Sequence, residues 1–150
     1  METPKQQTAR FLDFMLSHAS GLDTAAAKYG ANGKVQRVLP SKRRIATAAD
    51  RDIVLPWLRA QNTEAANVWV RPAAGLPAHH LVMLDDLPVA RAVAVCRKYA
   101  GAAVETTPGN CQAWIVLSRP LDREGRQAVA ASLCRLIGGD PDAVSEPRWG

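Results

Sequence analysis

Asp85 and Asp86 close the apolar run His79 to Leu84 (HHLVML) with two adjacent carboxylates. One Asp at a helix start has a structural use, because its side chain accepts the free N–H groups of the first turn. A second carboxylate beside it adds repulsion that no cap requires, and a divalent cation would relieve that repulsion. The plain alternative is one cap and one solvated acid. Asp140, after Gly138 and Gly139, is the third acid of interest. In a split β-α-β arrangement the crossover after the last helix returns beside the first strand and brings Asp140 near Asp85 and Asp86. Three carboxylates gathered there would hold one or two Mg²⁺ or Mn²⁺ ions. Two such ions clamp the attacking and leaving oxygens of an in-line phosphoryl displacement. Gly-Asp-Pro is also a common turn composition, so Asp140 carries little by itself.

Other residues suit a nucleotide. Thr106-Thr107-Pro108-Gly109-Asn110 is a turn whose hydroxyls and N–H groups, at Thr107, Gly109 and Asn110, can hold phosphate oxygens; a simple hairpin turn is the other reading. Of the adjacent His79 and His80, one can face a nucleotide, although packed strand histidines are commoner. We single out His80. Arg71 ends a strand and could bind a triphosphate or sit on the surface. Trp69 and Trp114 could stack on a base or pack in the core. No Ser/His/Asp or Cys/His arrangement, no HxH or HxxxH metal spacing and no Walker-type loop is legible.

The elements that must position these residues are read from periodicity and turn chemistry. Helices are expected at 5–18, with Phe11, Phe14, Met15 and His18 on one stripe, and at 24–29, ending at Gly30. Residues 30–48 read as irregular, with a short strand at 34–39. Asp50 is the expected N-cap of a helix to about Gln61 that buries Ile53, Val54, Trp57 and Leu58, with Pro56 inside it. Strands are expected at 67–71 and 79–84, the first able to add to a sheet edge. Asp86 is the expected cap of a helix carrying Val89, Ala92, Val93, Cys96 and Ala100, ended by Gly101. Strands at 102–106 and 112–118 flank the Pro-Gly turn. Asp122 caps a last helix with Arg126, Val129, Ala130, Leu133, Leu136 and Ile137 on its stripe, ended by Gly138. The fold class is α+β: an RNA-recognition-motif-like antiparallel sheet in split β-α-β order, with helices on one face and an N-terminal helical α/β extension. The expected division is a basic extension at 1–66 and the catalytic portion at 67–150.

The chain of 150 residues is 47% hydrophobic and 22% charged, which excludes a disordered or collagen-like polymer. No apolar run approaches the roughly 18 residues of a membrane span. Asp13, Asp23 and Lys28 interrupt the early apolar stretches, so no signal peptide is expected. Three cysteines without a CxxC pair argue against a disulfide framework and for a reducing, cytoplasmic setting. The net charge of +5 is uneven: ten basic and six acidic residues in 1–66 give +4, and nine and eight in 67–150 give +1. Lys34, Arg37, Lys42, Arg43 and Arg44 fall in one stretch without an acid. Such a cluster can hold a nucleic-acid backbone by counterion release or form a solvated basic loop.

NVWVRP, HHLVMLDDL, VETTPGNCQAWIVLS and GGDPDA, in this order and spacing, resemble the RepB-type primase domain of mobilisable plasmids, within the archaeo-eukaryotic primase superfamily. The resemblance is strong over about 55–150 and loose before. It implies that Asp85 and Asp86 are the first motif and Asp140 the third, together ligating catalytic Mg²⁺ or Mn²⁺. It also implies that the strand-turn-strand Glu105 to Trp114 helps bind the incoming nucleoside triphosphate. Such enzymes start chains on a single-stranded DNA template, and a replicative helicase or initiator is the expected protein partner. Two departures stand out. The second motif often ends in a His, which is missing between Glu105 and Ser118. The family pattern also continues past the third motif, so the piece that completes the sheet is expected to lie beyond this sequence. The competing readings are a non-catalytic nucleotide- or nucleic-acid-binding module and a nuclease using the same acids.

Overall fold

The computed structural model describes residues 1–76 and 78–142, divided after Leu76 into two compact units. In the first unit, α1 (Pro4–His18) opens with a capping box. Thr3 Oγ1 accepts from the Gln6 amide and Gln6 Oε1 accepts from the Thr3 amide. Its buried side chains are Leu12 and Met15, one position off part of the expected stripe.

β1 (Leu22–Tyr29) is the centre of a three-stranded antiparallel sheet ordered β2-β1-β3, with β2 at Val35–Pro40 and β3 at Asn67–Pro72. The helix expected at 24–29 is therefore a strand. Alanine favours helix locally, but Ala25, Ala26 and Ala27 are fully buried between two hydrogen-bonded neighbours. Tertiary pairing decides the conformation. β3 pairs with β1, so the segment at 67–72 belongs to this first sheet.

α2 (Ala48–Thr63) is capped by Thr47, not by Asp50. Asp50 is the reciprocal member of the box: its Oδ2 accepts from the Thr47 amide at 3.2 Å, and Arg43 donates to its Oδ1 at 2.8 Å. The Arg43 guanidinium, ahead of the Ala46 amide, holds the Asp50 carboxyl below its usual range. Pro56 lies inside this helix, and Val54, Leu55 and Leu58 are its buried residues. Ile53, expected in the core, is exposed.

The second unit runs β4 (His79–Pro88), α3 (Val89–Lys98), β5 (Ala102–Thr107), β6 (Asn110–Leu121) and α4 (Arg123–Ile137), the expected order. Its antiparallel sheet is ordered β4-β6-β5. One core joins Val82, Leu84 and Leu87 of β4 and Cys111, Ala113 and Ile115 of β6 to Ala92, Val95 and Cys96 of α3 and Ala130 and Cys134 of α4. Because Cys111, Ala113 and Ile115 alternate along β6, both helices pack on one face. A fourth strand after α4 would lie beyond Asp142, outside the described residues. Among the described residues no helix is long and apolar enough to cross a membrane.

Asp122 caps α4, as expected, accepting from the Gly125 amide at 2.8 Å. α3 differs from expectation. Its N-cap is Pro88, without a side-chain cap, and Val89 and Val93 are exposed while Val95 is buried. It ends at Lys98, before Gly101. In α4 Leu136 is exposed.

Gly101 helps to end α3 as expected, its amide donating to the Cys96 carbonyl at 2.8 Å after the left-handed Ala100, and it also allows a close approach. A Cβ there would stand 2.3 Å from the Trp114 carbonyl oxygen and 3.2 Å from Cys96 Sγ. Gly101→Ala is expected to destabilise the chain by about 2 kcal/mol, read as a lower urea midpoint with an unchanged slope. Burial also pushes the Cys96 thiol up from 9.0 to about 11. The folded chain then keeps a proton that the unfolded chain has lost. The contribution of this thiol is expected to be constant below pH 9 and to fall as pH rises from about 9 towards 11. Cys96→Ala should reduce that slope in urea unfolding measured across the window, the raised Cys111 and Cys134 thiols keeping part of it.

Candidate functional site

Regular pairing of β4 with β6 breaks at the two acids. Leu84 pairs with Ala113 and Leu87 with Cys111, so Asp85 and Asp86 together oppose Gln112. Two residues against one is a β-bulge. Asp86 stands in the left-handed region at φ +61°, a conformation that Asp tolerates better than most residues at a cost of about 1 kcal/mol. Neither acid caps α3, whose N-cap is Pro88. This corrects the expected role of Asp86. Asp85 is half-buried, Asp86 exposed, and Asp85 Oδ1 accepts from the Asp86 amide at 2.8 Å.

The end of α4 comes to this bulge. Gly138 is its left-handed C-cap. An atom added at the Cβ position of Gly139 would be 3.2 Å from the Asp85 carbonyl oxygen. The main chain just before Asp140 therefore lies against the main chain of Asp85. The buried Cys134 thiol registers the same proximity. Burial chiefly raises it, and the negative charges of Asp140 and Asp85 push in the same direction, against a backbone hydrogen bond at Asp85. Asp140 is exposed, and its Oδ1 accepts from the Asp142 amide at 2.9 Å. Two of the three acids thus spend one oxygen on a neighbouring amide. Among the described residues no group of three or more His, Cys, Asp or Glu side chains is placed so that it could hold a metal ion as the side chains stand.

The β5–β6 hairpin lies at the same end of the sheet, since Asn110 pairs with Pro88, just beyond the bulge, and with Thr107 across the turn. The Gly109 amide donates to Glu105 Oε1 at 2.8 Å, and Thr106 Oγ1 donates to the Asn110 carbonyl at 3.3 Å. An acid therefore holds one of the turn amides expected to meet a phosphate, a role for Glu105 that its place in the sequence does not suggest. His79 is buried, with Nδ1 accepting from the Leu81 amide. His80 Nδ1 lies 2.9 Å from the Leu117 carbonyl. A carbonyl only accepts, so this nitrogen carries the proton, and in the neutral ring Nε2 is left as an acceptor. Trp114 is fully buried, which settles it as a core residue.

In the first unit, Asp23 is an anchor absent from the sequence-based expectations. Arg44 Nε donates to its Oδ1 and the Ala74 amide to its Oδ2, both at 2.9 Å. Arg71, directly opposite on β3, stands 3.8 Å from Oδ2. Cross-strand opposition of Asp23 and Arg71 is the signal that could have found it, but a helix at 24–29 conceals that opposition. The basic stretch divides in two. Arg43 and Arg44 are paired with Asp50 and Asp23, whereas Lys34, Arg37 and Lys42 are exposed and have no ion pair among the described residues.

Comparison with solved structures agrees with this topology. The catalytic domain of primase RepB′ in complex with initiator DNA superposes with a TM-score of 0.74 over 97% of this chain and 73% of that one, at 26% identity. The chain has the RepB′ primase catalytic-domain fold. A second RepB′ primase structure gives a TM-score of 0.70 over 95% of this chain and 48% of its own, at 24% identity. The mobilization protein A of Escherichia coli is 33% identical over 98 residues, which are 63% of this chain and 14% of that protein. No family model matches the chain. The resemblance read from the four sequence motifs to RepB-type primases is borne out at the level of the fold.

The strained Asp86 separates stability from activity. Asp86→Gly removes the left-handed penalty and restores unfolded-chain freedom, so these two terms nearly cancel. Thermal unfolding should shift by less than about 1 kcal/mol in either direction, while any activity that needs the carboxylate is lost.

Proposed function

We propose that this chain is the catalytic core of a DNA primase that joins nucleotides on a single-stranded DNA template, in the cytoplasmic replication of a plasmid or other mobile element. The observation that carries the reading is the bulge. It presents two carboxylates that no helix cap uses, beside the turn that carries a third, within the RepB′ primase fold. Hard carboxylate oxygens suit Mg²⁺ or Mn²⁺, and Asp85, Asp86 and Asp140 are the residues that would hold such an ion. Rotating the Asp85 and Asp140 side chains off their amide contacts would free the oxygens now engaged. When bound, the ion neutralises charge on the reacting phosphate.

The remaining roles belong to the chain itself. Thr107, Gly109 and Asn110 border the site on the nucleotide side. Glu105, which holds the Gly109 amide, fixes the shape of that turn. The Nε2 acceptor of His80 suits a sugar hydroxyl better than a phosphate oxygen, which also accepts. Arg71 is partly neutralised by Asp23, so its grip on a triphosphate would be shared with that acid. Template phosphates would fall to Lys34, Arg37 and Lys42, with Arg43 and Arg44 chiefly holding the first unit together. Initiator DNA bound to the RepB′ catalytic domain supports DNA as the partner. A helicase or initiator protein would supply the template.

The test is primer synthesis by the 150-residue chain on single-stranded DNA with labelled dNTPs and Mg²⁺ or Mn²⁺. Short products are expected, and Asp85→Ala/Asp86→Ala should reduce them by about 100-fold or more. Cleaved template without nucleotide incorporation would replace the primase by a nuclease. DNA or nucleotide binding without synthesis would support the alternative of a binding module.

A further inference from the structure

The route by which Asp140 reaches the bulge is more constrained than a turn needs to be. Arg91, in the first turns of α3, donates from Nη1 to the Ile137 carbonyl at 2.7 Å. That carbonyl is among the last of α4, whose terminal C=O groups have no partner within the helix. The guanidinium lies over the C-cap: a Cβ on Gly138 would stand 2.0 Å from Arg91 Nη1. Gly138 also has φ +83°, so a side chain there is strained and would displace the Arg91 guanidinium from the helix end. The next residue is equally confined. A Cβ on Gly139 would be 2.9 Å from Leu87 Cδ2, 3.0 Å from Cys134 Sγ and 3.2 Å from the Asp85 carbonyl oxygen. Two of these neighbours are tied to the bulge, since Leu87 re-enters the core directly after it and Asp85 is part of it.

We propose that Arg91 and the Gly138–Gly139 turn are positioning residues, which fix the main chain before Asp140 against the bulged backbone of β4 so that all three carboxylates can serve one divalent cation. The proposal rests on reading Asp85, Asp86 and Asp140 as a single site. Gly139 acts through close approach: a Cβ there would crowd Leu87, Cys134 and the Asp85 carbonyl together and loosen the contact of the turn with the bulge. Arg91 acts through the helix end. It ties α3, which comes after the acid pair in sequence, to α4, which precedes the third acid.

Binding of Mn²⁺ alone to the full chain, measured by loss of the free-ion EPR signal and paired with thermal unfolding, tests this without any turnover. The wild type is expected to bind, and Asp140→Asn to bind much more weakly. Gly139→Ala should raise the apparent Kd about tenfold, the size of effect seen when the support of a metal ligand is removed. Arg91→Gln should also weaken binding. Its sign is diagnostic, because deleting a positive charge beside the turn that carries Asp140 would tighten a cation by Coulomb attraction alone. Arg91→Lys, whose ammonium can still reach a carbonyl, should recover most of the affinity. Wild-type Mn²⁺ affinity in both Gly139→Ala and Arg91→Gln would overturn the positioning role while leaving the acid site standing. If Gly139→Ala does not fold, the exposed Arg91 variants decide the question. Absence of Mn²⁺ binding in the wild type would overturn the shared acid site, and the positioning role with it.

Discussion

One extra residue in β4 organises the second unit. Along a regular strand Val82 and Leu84 share a face with residue 86, and 87 lies opposite. The core instead contains Val82, Leu84 and Leu87. The phase slips by one residue, and the slip is Asp85–Asp86 facing Gln112. Holding Asp86 left-handed costs about 1 kcal/mol, and returning Leu87 to the core gains about 2 kcal/mol. The bulge therefore persists without help from a ligand. Three neighbouring features depend on it. α3 begins directly after Pro88, β6 resumes pairing at Cys111, and Gly139 finds the Asp85 carbonyl at the surface of the same kink.

The first unit shows a comparable economy with charge. Five cations in one stretch look alike in sequence, yet Asp23 and Asp50 claim two of them for the fold. Asp23 receives Arg44 and the Ala74 amide together, which ties the segment after β3 to the start of β1. Surface pairs of this kind contribute little singly, but a carboxylate shared by an arginine and a backbone amide also sets geometry. Lys34, Arg37 and Lys42, which have no ion pair among the described residues, are not spent on the fold in this way.

Most of the second unit is legible in the sequence because its signals are local. Asp122 before an amphipathic run, Gly138 after it and Pro-Gly between two strands each report on a few neighbouring residues, and each holds. The failures have non-local causes. Ala25–Ala27 read as helix because alanine propensity is a one-dimensional property, whereas the strand exists through hydrogen bonds to residues 35–40 and 67–72. Ile53 and Val93 read as core because the period of a helix does not state its phase against the neighbours. Thr47 and Asp50 exchange cap roles because both can accept, and only the helix start decides which is N-cap and which is the third residue. The three acids stand out by type and spacing, while their support, Arg91 and Gly139, does not. An exposed arginine and a glycine in a turn look ordinary until the other helix is present.

The acid pair shows how a motif and a fold irregularity require one another. Two adjacent carboxylates on an ordinary strand point to opposite faces and cannot serve one ion from a single side. A helix start would use one of them as a cap and leave the other solvated. A bulge removes both limitations, since it re-aims one side chain at the point where pairing is interrupted. The sequence alone does not reveal this. Residues 81–84 are apolar on both faces, so Leu87 fits the phase of 81 and 83 as well, and the slip shows only in the pairing. When an acidic pair coincides with such a slip, neither acid is free to be explained by capping or by strand alternation, and chemistry becomes the simpler account of why both are present.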